Sequence, residues 1–146
     1  MSFLVNIYMD KKSNLLFIPT VYDMDGVCRD YNKPVILQNS NNFEEIGSNL
    51  KESFLVCKNG RINSREEIVK VFELTTGIKS YSKFSKDRFL VWAEMDQEFI
   101  YLTPCEKDSF GAYSPARKKA KKLSSTIENK ILGEQVIEMF SLMKNL

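Results

Sequence analysis

Apolar residues come in two distinct rhythms along this chain. Phe3 to Met9 is a short apolar run with the look of a strand, and Lys11-Lys12-Ser13-Asn14 is a turn cluster. Leu15 to Tyr22 is rich in β-formers and reads as a second strand, with Pro19 disturbing its ladder. The two runs predict a hairpin. Val27 to Tyr31 and Val35 to Leu37 read as further short strands. Phe43, Ile46, Leu50 and Phe54 then recur at helical spacing, after Asn41 and Glu44 at capping-box distance and before Gly60 as the C-cap. A capping box at Ser64 and Glu67 opens a second predicted helix, which Gly77 closes. The pattern from Ile78 to Phe84 suggests another strand. Phe89–Met95 and Phe99–Thr103 are the clearest strands, joined by Asp96-Gln97-Glu98 as an antiparallel hairpin. Residues 104 to 124 read as a polar loop or edge. Ser125 and Glu128 repeat the capping box, and Leu132, Val136, Met139, Phe140 and Met143 form the stripe of a last, core-facing helix.

Strands, two helices, strands and one helix, without βαβ alternation, predict an α+β fold. It is a largely antiparallel sheet with about three helices packed on it. At 146 residues the chain (1–146) is expected to be one domain that buries a core without staples. Composition agrees, with 43% hydrophobic and 27% charged residues and little Gly or Pro.

Charge narrows the function. With 21 basic and 19 acidic side chains, the net charge of +2 lacks the basic excess of a dedicated nucleic-acid binder. There is no histidine, which excludes Ser-His-Asp triads, Cys-His dyads and His-containing metal sites. Cys28, Cys57 and Cys105 are few, odd in number and widely spaced, so reduced, mostly buried thiols are expected and no metal site or cofactor. The N-terminus lacks the basic and long apolar regions of a signal peptide, and no apolar run approaches membrane-spanning length, so a cytoplasmic protein without membrane association is expected.

Three local patterns carry possible chemistry. Val21-Tyr22-Asp23-Met24-Asp25-Gly26-Val27 resembles the first motif of the haloacid-dehalogenase phosphatases, in which the first Asp attacks phosphorus and the second is the general acid, near Mg²⁺. No later strand ends in the acidic pair that chemistry needs, and Asp-x-Asp-Gly is also an ordinary turn. Arg117-Lys118-Lys119-Ala120-Lys121-Lys122, beside Phe110 and Tyr113, is the one run that phosphates would attract; the alternative is a solvated loop. Glu94, Asp96 and Glu98 surround a hairpin turn with no further catalytic group identifiable. Trp92 reads as core.

A resemblance sets the leading expectation. Thr76-Gly77-Ile78-Lys79-Ser80-Tyr81-Ser82-Lys83-Phe84-Ser85-Lys86 resembles a signature region of the contact-dependent growth inhibition immunity proteins. Leu16-Phe17-Ile18-Pro19-Thr20, Gly111-Ala112-Tyr113 and Leu132-Gly133-Glu134 fit the same family in the same order. The resemblance implies a cytoplasmic, non-enzymatic protein of a Gram-negative bacterium. Its partner would be the C-terminal toxin domain of a cognate exported protein, commonly a nuclease and often one that attacks RNA, held one to one. Such an inhibitor is expected to bind at nM Kd or better, on the order of −12 kcal/mol. It would meet a basic, phosphate-holding site with carboxylates and aromatic anchors. By loop position the expected contacts are Asp23, Asp25, Asp30, Asp96 and Glu98, with Tyr31 and Tyr113 as anchors. A small Mg²⁺-dependent phosphatase using Asp23 and Asp25, or a nucleic-acid module using 117–122, are the alternatives.

Overall fold

The computed structural model describes residues 2–38 and 41–144. Eight antiparallel strands form one sheet: β1 (Phe3–Met9), β2 (Leu15–Tyr22), β3 (Cys28–Asp30), β4 (Val35–Leu37), β5 (Phe89–Met95), β6 (Phe99–Lys107), β7 (Tyr113–Pro115) and β8 (Lys121–Ser124). The spatial order is β3-β2-β1-β5-β6-β7. Each edge is finished by two short strands end to end: β3 and β4 along β2, and β7 and β8 along β6. The α+β expectation therefore holds.

Strand alternation decides what each face does. Val5, Ile7, Met9, Leu15, Phe17, Val91, Ala93, Ile100 and Leu102 point to one face. There α1 (Phe43–Asn59) and α4 (Asn129–Lys144) cover them with Ile46, Leu50, Phe54, Leu132, Val136 and Phe140. Full burial of side chains of this size contributes about 1.5–3 kcal/mol each. The two helices touch through glycine. A Cβ on Gly47 would lie 1.9 Å from the Asn129 carbonyl oxygen, and one on Gly133 would lie 2.0 Å from that of Phe43.

On the other face, Tyr8, Leu16, Ile18, Leu90 and Cys105 are covered by two short helices, α2 (Val71–Thr76) and α3 (Tyr81–Lys86), through Val71 and Phe84. Those helices reach only part of this face. Asn6, Asp30, Trp92 and Glu94 on this face are half-buried.

Three local expectations are corrected. Residues 78–84 are not a strand: Ser80 caps α3 by accepting from the Lys83 amide, and Tyr81 and Phe84 sit three apart on one helical face. The Ser64 box does not open a continuous helix. Its hydroxyl caps nothing, Arg65–Glu67 is one 3₁₀ turn, and α2 starts only at Val71. Ser125 does not cap α4. Its amide donates to the Glu98 carbonyl and its hydroxyl to that of Gln97, fastening the β5–β6 turn, and α4 begins at Asn129. The stretch from 104 to 124, expected as loop or edge, carries the end of β6 and the edge strands β7 and β8, and in β8 half-buried Lys121 and Leu123 alternate with exposed Lys122 and Ser124. Two caps are adjusted in detail. Asn42, not Asn41, caps α1, and Gly60 ends it in extended backbone, where the Tyr31 ring would lie 2.8 Å from a Cβ.

Candidate partner-binding cleft

The uncovered part of the second face forms a cleft of about 520 Å³. Asn6 and Tyr8 from β1 and Leu90 and Trp92 from β5 make its floor. Asp30 closes one side; Tyr81, Ser82 and Ser85 of α3 and the loop from Phe110 to Tyr113 close the other.

Each wall is fixed by local chemistry. The Asp108 carboxylate accepts from the Phe110 and Ala112 amides, and Gly111 takes φ +85°. That compact turn holds Phe110 93% exposed at the cleft mouth. The Tyr113 hydroxyl, 2.7 Å from the Arg88 carbonyl oxygen, donates there and also lies 3.1 Å from that of Ser85, tying the loop to α3. The Tyr8 and Tyr81 hydroxyls are 2.9 Å apart, and burial pushes the Tyr8 phenol up.

Asp30 is the singular group. Asn6 Nδ2 donates to its Oδ1 at 3.3 Å, and among the described residues no cation lies within ion-pair distance of it. Burial raises its carboxyl above the usual carboxylate range, against the lowering effect of the Asn6 hydrogen bond. On β5, Glu94 pairs with Arg117 at 2.9 Å, and that guanidinium lies 5.5 Å over the Trp92 ring. Trp92 is thus half-buried in a polar face instead of sealed in the core.

The expected contact residues separate into three groups. Asp30 and Tyr113 line this cleft together. Asp25, Asp96 and Glu98 lie at one end of the sheet, since antiparallel pairing brings the β2–β3 and β5–β6 turns to the same end. There Asp25 faces Arg65 at 3.8 Å, and Asp96 accepts from the Glu98 and Phe99 amides. Asp23 and Tyr31 serve the fold. Asp23 is buried and accepts from the Asp25 and Val27 amides and from Arg29 Nε, and Tyr31 packs over Gly60.

Those hydrogen bonds also decide the phosphatase geometry. Both Asp23 oxygens are engaged, so neither is presented for attack on phosphorus, and the strand it follows runs in an antiparallel sheet. Among the described residues no group of three or more Cys, Asp or Glu is placed to hold a metal. The basic run is largely tied down as well: Arg117 to Glu94, Lys119 to Glu106, Lys121 to Glu138 and Gln135, and Lys122 over the Phe99 ring at 3.9 Å. Among the described residues no helix is long and apolar enough to cross a membrane.

Sequence reasoning missed Asn6, Tyr8, Tyr81 and Trp92 as cleft residues. The available signal was a lone polar Asn6 inside an apolar strand, on the face opposite Val5 and Ile7.

No protein-family model matches the chain, and no curated protein matches it in sequence. Solved structures do match in fold. One is a protein of unknown function, NMB0488, from Neisseria meningitidis, with a TM-score of 0.72 at 13% identity over 97% of this chain and 94% of that one. Another is a chain of the CdiA-CT/CdiI toxin and immunity complex from Yersinia pseudotuberculosis, with a TM-score of 0.71 at 9% identity over 97% of both chains. The resemblance carried by short sequence strings thus extends to the fold of the whole chain: it is similar throughout to a component of a toxin–immunity complex.

Proposed function

We propose that this protein is an immunity protein, cytoplasmic and without catalytic activity. It binds one copy of the C-terminal toxin domain of a cognate contact-dependent growth inhibition exoprotein and neutralises it. The observation that carries this reading is the likeness in fold, over 97% of the chain, to a chain of a toxin–immunity complex. The cleft supports it independently, because it combines an exposed aromatic on a rigid turn, a half-buried Trp92 and a carboxylate with no cationic partner. Such anchors concentrate binding energy at protein interfaces.

Within this reading the contact set is Asp30, Tyr113, Trp92 and Phe110 at the cleft. Asp25, Asp96 and Glu98 extend it along the sheet end. Asp30 is suited to a Lys or Arg of the toxin, which would supply the counter-charge its surroundings lack. The toxin is taken to be a nuclease, most simply one that cleaves RNA, whose phosphate-holding site would offer such cations. Cells expressing the toxin domain of the neighbouring exoprotein gene should stop growing and should be rescued by this protein. Persistent growth arrest in the presence of folded protein would count against the proposal.

A further inference from the structure

A second cavity, which shares Tyr113 with the cleft, opens where the C-terminal half of α4 crosses the β5–β6 hairpin. It measures about 360 Å³, within the about 300–1,000 Å³ of small-molecule sites. Its walls are Phe89, Pro104, Met139, Leu142 and Met143. Leu142 is 57% exposed at its mouth, an apolar side chain aimed at a hollow that nothing of the described chain fills.

The charged groups around it are not balanced. Among the described residues, Arg88, Lys107 and Lys119 line the pocket against Glu106 alone, which Lys119 holds at 2.9 Å. Lys107 is fixed by the carbonyls of Ser85 and Lys86, and Arg88 donates to the Phe84 carbonyl while stacking 4.3 Å over its ring. Asp87, the next carboxylate in reach of Lys107, pairs with Lys11 at 3.2 Å. Lys107 and Arg88 are therefore placed by backbone carbonyls, with no carboxylate of the described residues within ion-pair distance, whereas Lys119 is paired with Glu106. An apolar hollow with a fixed cationic rim fits one chemistry: a free, single-chain amphiphile with an anionic head, its tail among the methionines and its head toward Lys107 and Arg88.

We propose that this pocket binds a small alkyl carboxylate. The test is calorimetric titration of the full chain with decanoate, beside decanol and anionic phosphatidylglycerol vesicles. Decanoate should bind saturably at one site with Kd in the micromolar range, around −7 to −8 kcal/mol. Leu142→Glu should abolish binding, and Lys107→Gln should weaken it about fivefold or more. Both positions are exposed, and an unchanged thermal melt will show that the variants fold. Absence of saturable decanoate binding would overturn the proposal and leave the hollow to an apolar side chain of a protein partner. Equal binding of decanol, binding only to vesicles, or binding untouched by Leu142→Glu would overturn it too.

Discussion

Asn6 and Asp30 meet across 3.3 Å on the open face of the sheet, an amide donating to a carboxylate that has no cation beside it among the described residues. Ile18 lies in register with Asn6, and Thr20 with Asp30, so the pair bridges the strand between them. A fold with no task for this face would put a neutral residue at position 30. Here the carboxylate is held half-buried at a cost to the free protein, and the counter-charge is left to a partner.

Replacing Asp30 separates binding from stability. Its folded pKa is raised, so the penalty for the charged form is absent at low pH, where both folded and unfolded chains are protonated. It grows as pH rises through the ordinary carboxylate range to the raised value. At neutral pH Asp30→Asn should therefore raise Tm, by about 2–4 °C for a change of about 1 kcal/mol in a chain of this size. At pH 3 the gain should vanish. The same variant should weaken toxin binding tenfold or more, corresponding to about 1.4 kcal/mol. Scanning calorimetry and titration on one preparation check both signs.

Phe110 sits on a turn ordered by Asp108 and contributes nothing to the core. Phe110→Ala should leave the melt within about 0.5 kcal/mol of wild type, as a surface change does. It should cost about 2 kcal/mol of binding if the ring is an anchor. An unchanged toxin affinity would remove Phe110 from the interface.

The crossing of α1 and α4 depends on the absence of two Cβ atoms. Gly133→Ala places a methyl against the Phe43 carbonyl at 2.0 Å, and Gly47→Ala places one against that of Asn129 at 1.9 Å. Backbone cannot yield as a side-chain tip would. Each variant should lose about 1–3 kcal/mol or more in urea denaturation. The double variant should lose less than the sum, because one separation of the helices relieves both clashes.

Asp10, Asp23 and Asp96 have carboxyls held below the ordinary range. For Asp23 and Asp96 turn amides lead, with Arg29 adding to the effect at Asp23; at Asp10, hydrogen bonds from Asn14 and Lys12 outweigh burial. Their contribution is present above the unfolded carboxylate range, near pH 4, and is lost as pH falls through the lower folded values. Thermal melts should fall steeply below pH 4, and in Asp23→Asn this acid sensitivity should be reduced. The same variant tests the phosphatase alternative, since hydrolysis of a generic phosphomonoester with Mg²⁺ should be absent before and after the change.

Much of this fold was legible in the sequence where local chemistry and packing agree. β5 runs over the predicted Phe89–Met95, and both long hairpins stand where alternation and turn residues put them. The failures share a cause. Ile78 to Phe84 is rich in β-forming types, but burial of Phe84 against Tyr8 and the Ser80 cap favour a helix. Ser64 and Ser125 have cap spacing, yet their neighbours make other bonds. The cleft was only half legible. Asp30 and Tyr113 were expected contacts, whereas Asn6, Tyr8 and Trp92 look like core strand residues until the short reach of α2 and α3 is known. Asp23 shows the converse, a motif residue whose spacing expresses a turn.

The most direct measurement is calorimetric titration of this protein with the C-terminal domain of the exoprotein encoded beside its gene. The account predicts one-to-one binding at nM Kd or tighter, on the order of −12 kcal/mol, weakened by Asp30→Asn and by Phe110→Ala in folded protein. Absence of binding to that domain would contradict it. Tight binding indifferent to both substitutions would keep the immunity function and remove the cleft as its site.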